Sequence, residues 1–123
     1  MITYAPMTMD DYDEALALWQ CTEGMGLHLS DVDSRAGVTG YLRRNAGMSL
    51  TARDGARLVG TVLCGHDGRR GYLHHLTVCS EYRRQGIGRG LLSRSLATLQ
   101  GESIAKCNIF RTPDIDAQFS IVV

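Results

Sequence analysis

The chain has 123 residues, enough for one hydrophobic core and too few for two. Basic and acidic residues both number 13, so no global electrostatic field draws the protein to nucleic acid or to an anionic membrane. No apolar run approaches the ~20 residues that a membrane-spanning helix requires. The cysteines form no Cys-x-x-Cys pair and no secretory leader is apparent, so we expect a single-domain cytoplasmic protein over residues 1–123.

A short strand and two helices are predicted first along the chain. Residues 2–4 favour a strand, and the capping pattern of residues 8–11 predicts that a helix begins there. Apolar residues at three- and four-residue spacing form one face of this helix: Tyr12, Ala15, Leu16 and Trp19. A second helix is predicted after Asp33 and Ser34, although two internal glycines weaken it by about 1 kcal/mol each relative to alanine.

Between residues 48 and 79 the pattern changes from helical to β. Residues 49–53, 57–66 and 71–79 have the composition of strands, and Asp-Gly pairs separate them, which predicts three sequential antiparallel strands. A glycine-rich loop at 81–90 then leads into a helical apolar pattern, and residues 103–110 predict one more strand. The predicted fold class is therefore α+β, with a mostly antiparallel central sheet flanked by helices.

The glycine-rich loop has the properties of an anion-binding site. Gly86 and Gly88 have no Cβ, so the backbone there can approach phosphate oxygens. The helix that comes next presents unpaired N–H groups and about +0.5 charge at its N-terminus, and three nearby arginines add positive charge. A plain tight turn is the alternative. The segment lacks the Gly-Lys-Ser/Thr of a P-loop, and the antiparallel hairpins before it argue against the βαβ unit of a dinucleotide-binding fold.

Residues 83–88, Arg-Arg-Gln-Gly-Ile-Gly, resemble the Arg/Gln-x-x-Gly-x-Gly/Ala motif of the GCN5-related N-acetyltransferase (GNAT) family. Residues 76–82 are similar to the fourth strand and turn of that family, and the order of predicted elements agrees over residues 1–110. The resemblance implies an enzyme that transfers an acetyl group from acetyl-CoA directly to a primary amine of a small molecule or peptide. It implies these cofactor-binding residues: Leu76, Thr77, Val78, Arg83, Arg84, Gln85, Gly86, Ile87, Gly88 and Arg89.

The resemblance also implies how the cofactor is held. The amides of residues 85–89 would bind the pyrophosphate of coenzyme A, and the backbone of residues 76–78 would pair with the pantetheine arm like an added strand. Because both contacts use backbone atoms, changes at Gln85 or Ile87 should be tolerated, whereas a Cβ at Gly86 or Gly88 should not.

Direct acetyl transfer requires a neutral amine. An amine with a pKa near 10.4 is neutral in only about one molecule per thousand at pH 7, so a base is needed. Histidine suits this role, and the resemblance favours His74, two residues before Leu76, with His75 and Glu23 as competing candidates. A structural, hydrogen-bonded role is the alternative for each histidine. A backbone amide near Leu76 or Thr77 would stabilise the oxyanion.

Residues 111–123 depart from the family pattern. The family commonly protonates the departing thiolate with a tyrosine in a pattern like Asp-Asn-x-x-Ala-x-x-Phe-Tyr, but this chain has Ile115 instead of the asparagine and no following tyrosine. The final helix and strands of the family are expected to be missing. The strand at 103–110 would then have an open edge, which a homodimer or strand exchange would cover. A disordered tail is the alternative.

Two rival functions remain open. Cys64, His66 and one histidine of the next strand would form a three-ligand zinc site if the register allowed it, although no fourth ligand is apparent. The second rival is a catalytically impaired coenzyme A-binding or interaction protein with a truncated acetyltransferase fold. The sequence does not identify the amine acceptor; Trp19, Tyr41 and residues 23–26 line its pocket or belong to the core.

Overall fold

The computed structural model describes residues 1–110 and 119–122, and its centre is a six-stranded sheet. The strands lie in the sheet in chain order, and all neighbours are antiparallel except β4 and β5, which are parallel. The predicted α+β class with a mostly antiparallel sheet is confirmed. The strands are β1 (Ile2–Pro6), β2 (Leu50–Asp54), β3 (Arg57–His66), β4 (Arg70–Val78), β5 (Lys106–Ile109) and β6 (Phe119–Val122).

Among the described residues, three α-helices cover the sheet: α1 (Tyr12–Cys21), α2 (Arg35–Arg44) and α3 (Ile87–Gly101). Helices α1 and α2 pack on one face, where Trp19 and Val38 are buried with Leu63 of β3. Helix α3 packs on the other face, where Leu91 and Leu99 are buried. None of the helices in the described part of the chain combines the length and hydropathy that a bilayer crossing needs.

One of the two glycines in α2 has a packing role that the sequence did not reveal. The helix begins after Ser34, whose Oγ accepts the N–H of Gly37 at 3.0 Å. A Cβ at Gly37 would collide with the carbonyl oxygens of Asp31 and Val32. The glycine predicted to weaken α2 therefore allows the helix to pack closely against the preceding loop.

Strands β4 and β5 are connected by α3, so the glycine-rich loop lies in a β–α–β unit within an otherwise antiparallel sheet. The expectation that this setting would be absent was wrong, because the antiparallel hairpins before β4 do not restrict the elements after it. Helix α3 also begins earlier than the apolar pattern indicated. It starts at Ile87, directly after Gly86, so Gly88 and Gly90 belong to its first turn.

Strand β5 is not an open edge. All four of its residues pair antiparallel with β6, from Lys106 opposite Val122 to Ile109 opposite Phe119. The β-branched pair Ile121 and Val122 favours extended backbone, which lets the chain return to cover its own edge. The expected open edge was therefore wrong, and with it the reason given for a homodimer.

Candidate functional site

The loop between β4 and α3 forms a cavity of about 650 Å³, here called the anion cradle. Gly86 has φ of +84°, the left-handed conformation that glycine adopts most readily, and it turns the chain into α3. The first bond of the helix joins Gly90 N to Gly86 O at 2.9 Å, so the amides of residues 87–89 lie before the helical ladder begins. The cradle is lined by Val78, Tyr82, Arg83, Arg84, Gly86, Ile87, Gly88 and Arg89.

Positive charge surrounds these amides. Arg83 Nε donates to the carbonyl oxygen of Val78 at 3.2 Å, which ties its guanidinium to the end of β4. Within residues 1–110 and 119–122, neither Arg84 nor Arg89 forms an ion pair. Of the predicted cofactor residues in the loop, only Gln85 is absent from the cradle lining, and its side chain is exposed. The cradle is suited to an anion with several oxygens.

The two glycines of the motif, Gly86 and Gly88, differ in how well each position would tolerate a side chain. Gly86 needs its positive φ, so a side chain there strains the backbone even though a Cβ would meet nothing within 4 Å. A Cβ at Gly88 would lie 3.6 Å from Val78 Cγ2, which is ordinary contact. The prediction that both positions exclude a Cβ therefore has support from the fold only at Gly86.

Strand β4 has an edge that diverges from β5. The two strands pair from Arg70 and Lys106 to Leu73 and Ile109, and Phe110 N donates to Leu73 O at 3.0 Å. Beyond Leu73, β4 continues alongside β3 only, so residues 76–78 have no strand partner on that side within the described chain. This unpaired edge lies between the anion cradle and the two histidines of β4.

A β-bulge in β4 brings both histidines to the same face of the sheet. Leu63 pairs with His74 and Thr61 with Thr77, so one residue of β3 lies opposite two residues of β4. His75 has φ of +50°, and its carbonyl oxygen accepts a hydrogen bond from Thr61 Oγ1 at 2.9 Å. Thr61 Oγ1 in turn accepts from Trp19 Nε1 at 2.9 Å, so buried side chains support the bulge.

His75 forms a short pair with an aspartate that sequence reasoning missed. Its Nε2 donates to Asp33 Oδ1 at 2.6 Å, and Asp33 is only 4% exposed. Asp33 is held in turn, since its Oδ2 accepts the N–H of His28 at 2.8 Å and its carbonyl oxygen accepts the hydroxyl of Tyr12 at 2.7 Å. This arrangement fixes the tautomer of His75 and leaves Nδ1 as the ring atom that accepts a proton.

His74 has a different environment. Its ring stacks on Phe110 with centroids 4.3 Å apart, and the ring of Tyr41 meets it edge-on at 6.2 Å. Burial, assisted by the neighbouring His75, lowers the pKa of His74 to about 4, while Asp33 opposes the shift. His74 is therefore neutral at pH 7 and only a weak proton acceptor.

Both histidines line a second cavity of about 790 Å³, here called the acceptor cavity. Its wall includes residues of the loop before α2, of α2 itself, and of β3 and β4, among them Asp33, Val38, Tyr41 and Leu63. Burial raises the pKa of Tyr41 well above its usual value, and its hydroxyl has no hydrogen-bond partner within the described residues. Trp19 is fully buried in the core instead.

Glu23, the other proposed base, does not reach this cavity. It is exposed in the loop after α1, and of residues 23–26 only Gly26 lines the wall. Of the expected departure at residues 111–123, residues 111–118 lie outside the described residues, whereas Ser120, which follows Phe119 where the family has its tyrosine, lies in β6. Within the described part of the chain no three histidine, cysteine or acidic side chains form a group that would hold a metal ion, and burial raises the pKa of Cys64 to about 12.

The signal for Asp33 in the sequence was weak. It stands before Ser34, and the two together indicated only a helix start. The structure shows that Ser34 caps α2, which leaves the Asp33 carboxylate to contact His75, 42 positions along the chain. No spacing rule connects two residues so far apart.

Comparison with known proteins agrees with this geometry. The acetyltransferase (GNAT) family pattern matches residues 12–117. An acetyltransferase of Sodalis glossinidius is 30% identical over 112 residues, which cover 91% of this chain and 77% of that relative. The structure of PaiA N-acetyltransferase from Thermoplasma acidophilum in complex with coenzyme A gives a TM-score of 0.78 at 15% identity, covering 94% of this chain and 82% of that one. A GNAT acetyltransferase from Staphylococcus aureus gives a TM-score of 0.77 at 18% identity, covering 90% and 73%. With the motif, the fold and the relatives in agreement, this chain belongs to the GNAT acetyltransferase family.

Proposed function

We propose that this protein transfers an acetyl group from acetyl-CoA directly to a primary amine, with His75 as the base. One observation carries the proposal: the buried Asp33–His75 pair lines the acceptor cavity directly beside the unpaired edge of β4. An acyl donor lying along that edge would present its thioester next to the base. Family membership supports the reaction class, and the geometry supports the assignment of roles.

Acetyl-CoA fits the described surface from the anion cradle to the bulge. Its pyrophosphate would accept hydrogen bonds from the amides of residues 87–89, with Arg84 and Arg89 supplying charge-assisted contacts. Its pantetheine amides would pair with the backbone of residues 76–78, where β5 has diverged. The PaiA protein was solved with coenzyme A, which supports the same ligand class here.

His75 acts in this proposal by taking a proton from the ammonium form of the acceptor. Asp33 stabilises the imidazolium that results and keeps Nδ1 free to accept the proton. His74 is a poorer candidate, because a pKa of about 4 makes its conjugate acid too strong to hold that proton near neutral pH. Its stacking on Phe110 suits a wall of the cavity.

The chemical step then proceeds by direct attack. The neutral amine nitrogen attacks the thioester carbonyl carbon, and a backbone amide near Leu76 or Thr77 stabilises the developing oxyanion. The C–N bond forms, the C–S bond breaks, and the nitrogen passes its remaining extra proton to solvent water as the amide forms. The coenzyme A thiolate takes up one proton from water, since a thiol with a pKa of about 8.5 is mostly protonated at pH 7.

Calorimetric titration of acetyl-CoA tests the cofactor part of the proposal. We expect micromolar binding by the wild-type protein and a loss of at least about 30-fold in Gly86→Asp, which adds strain and negative charge to the cradle. Gly68→Asp is a matched control: Gly68 has φ of +88°, a Cβ there would meet nothing within 4 Å, and it lies in the β3–β4 turn. Both variants should keep similar melting temperatures.

Thiol release with a panel of amines tests the transfer itself. Binding with acetylation of at least one amine, which His75→Gln slows by at least about 100-fold, is the expected result. Binding without transfer to any amine would favour the coenzyme A-binding protein that has lost catalysis. Absence of acetyl-CoA binding by the folded wild-type protein would remove the proposed function altogether.

A further inference from the structure

The acceptor cavity has an uneven distribution of charge. Asp31 and Asp33 both contribute to its wall, whereas no lysine or arginine of the described residues does. Arg35 follows on α2, but its guanidinium donates to Asp13 at 2.7 Å on the outside of the helix pair. Arg44 lines a neighbouring pocket, which shares Tyr41 and His74 with the acceptor cavity. The described wall therefore presents two carboxylates and no lysine or arginine, alongside the hydroxyls of Ser30 and Ser34 and the imidazole of His28.

The carboxylates of the wall affect which amines the cavity can accept. An α-amino acid carries its carboxylate on the carbon next to the amine, only two covalent bonds from the nitrogen. When that nitrogen lies against His75 Nδ1, the carboxylate would enter a cavity whose wall already carries the carboxylates of Asp31 and Asp33. Like charges repel across the reduced dielectric of a half-buried site, and no lysine or arginine of the described wall compensates.

Much of the rest of the wall is apolar. Val38 and Leu63 are almost fully buried beneath the cavity, and the ring of Tyr41 stands beside them. Val32 lines the cavity while remaining 64% exposed, which places an apolar side chain at its rim. Such a wall favours the hydrocarbon body of a ligand over a second charged group.

We infer that the acceptor is a small primary amine with an apolar body and no carboxylate on the amine-bearing carbon, of the arylalkylamine or alkylamine class. The inference rests on the proposed acetyltransferase function and specifies the substrate class of the same site. It excludes free α-amino acids as efficient acceptors.

Three compounds with the same ring and amine provide the test: phenethylamine, phenylalanine amide and phenylalanine. Acetylation is followed by thiol release at saturating acetyl-CoA, and kcat/KM is compared. We expect phenethylamine to exceed phenylalanine by at least about tenfold, because only phenylalanine brings a carboxylate into a wall that already carries two. The amide separates the effect of charge from that of bulk, so it should resemble phenethylamine more than phenylalanine.

A positive charge introduced at the cavity rim should weaken the predicted preference for phenethylamine over phenylalanine. Val32→Arg introduces a cation at an exposed position that makes no contribution to the core, and Val32→Met is the control of similar length without charge. The arginine should lower the ratio of phenethylamine to phenylalanine kcat/KM by about fivefold to tenfold. The methionine should leave that ratio within about twofold of the wild type.

The outcomes separate the inference from the proposed function. Equal or better use of phenylalanine by the wild type would overturn the inference and leave the acetyltransferase function standing. Acetylation of peptide N-termini, with none of the small amines, would also overturn it. Failure of acetyl-CoA to bind in the calorimetric titration would instead remove the proposed function.

Discussion

The anion cradle and the acceptor cavity lie at the two ends of the unpaired edge of β4, and the chain builds them in different ways. The cradle comes from one contiguous segment, residues 78–89, in which a strand, a turn and a helix start succeed each other. The acceptor cavity draws on the loop before α2, on α2, and on β3 and β4. A contiguous site shows its chemistry in a motif, whereas an assembled site depends on packing that no local pattern reports.

The two neighbouring histidines of β4 also show that packing, and not local sequence, sets the environment of a side chain. His74 and His75 are adjacent in sequence and both line the acceptor cavity, yet one stacks on an aromatic ring and the other pairs with a buried carboxylate. Their roles differ because of what packs against them. Replacing each in turn is the most direct way to test this difference.

The largest expected effect is on catalysis. His75→Gln preserves a donor to Asp33 but cannot accept a proton from the substrate, so kcat should fall by about 10²–10⁴-fold. His74→Gln should lower kcat by less than about tenfold. Steady-state kinetics over pH 6–9 checks both, with melting temperatures as the control for folding. A larger loss in His74→Gln than in His75→Gln would reverse our assignment.

The next effect is on stability at low pH. His74 has an ordinary pKa of 6.5 when unfolded and about 4 when folded, so the unfolded chain binds its proton first. The free energy of unfolding should be unaffected above pH 6.5 and should fall by roughly 2–3 kcal/mol as the pH drops from 6.5 to 4. Urea denaturation of wild type and His74→Gln measures this. If the free energy of unfolding of His74→Gln declines as steeply as that of the wild type, His74 is not the cause of the decline.

A smaller effect on stability and kcat is expected when Thr61, which supports the bulge of β4, is replaced. Thr61→Val removes the acceptor of Trp19 Nε1 and the donor to His75 O, leaving buried polar groups unpaired. The free energy of unfolding should fall by about 1–3 kcal/mol, and kcat should fall with it as His75 loses its position. Thr51→Val is the control, since Thr51 is also buried in the sheet but its hydroxyl bond measures 3.5 Å. An equal loss of kcat in both variants would argue against a role for the bulge.

The smallest effect is expected from a substitution in the anion cradle, at Gly88. Gly88→Ala adds a Cβ 3.6 Å from Val78 Cγ2 in a helical turn, so the protein should become more stable by about 0.5–1 kcal/mol. If the phosphate lies against this turn, the Kd for acetyl-CoA should rise at the same time by roughly tenfold. Gly101→Ala at the other end of α3 should not change the Kd. Unchanged affinity in Gly88→Ala would place the phosphate elsewhere in the cradle.

Much of the fold was predictable because its signals are local. The Asp-Gly turns, the capping box of residues 8–11 just before α1 and the apolar face of α3 specified the order of elements, and the bounds of β3 agree with the prediction. The errors came from long-range pairing. Whether residues 119–122 would cover β5 depended on the path of the chain between them, and composition alone does not determine such a path.

The anion cradle was predictable from the sequence, because Gly86, the arginines and the start of α3 are neighbours in the chain and the amides of the cradle belong to the backbone. The acceptor site was decided by tertiary structure. Strand alternation predicts opposite faces for His74 and His75, and only the bulge supported by Thr61 and Trp19 places both toward α2. The carboxylate that pairs with His75 comes from a loop 42 positions away, since burial of a charge is favourable only where packing brings its partner close.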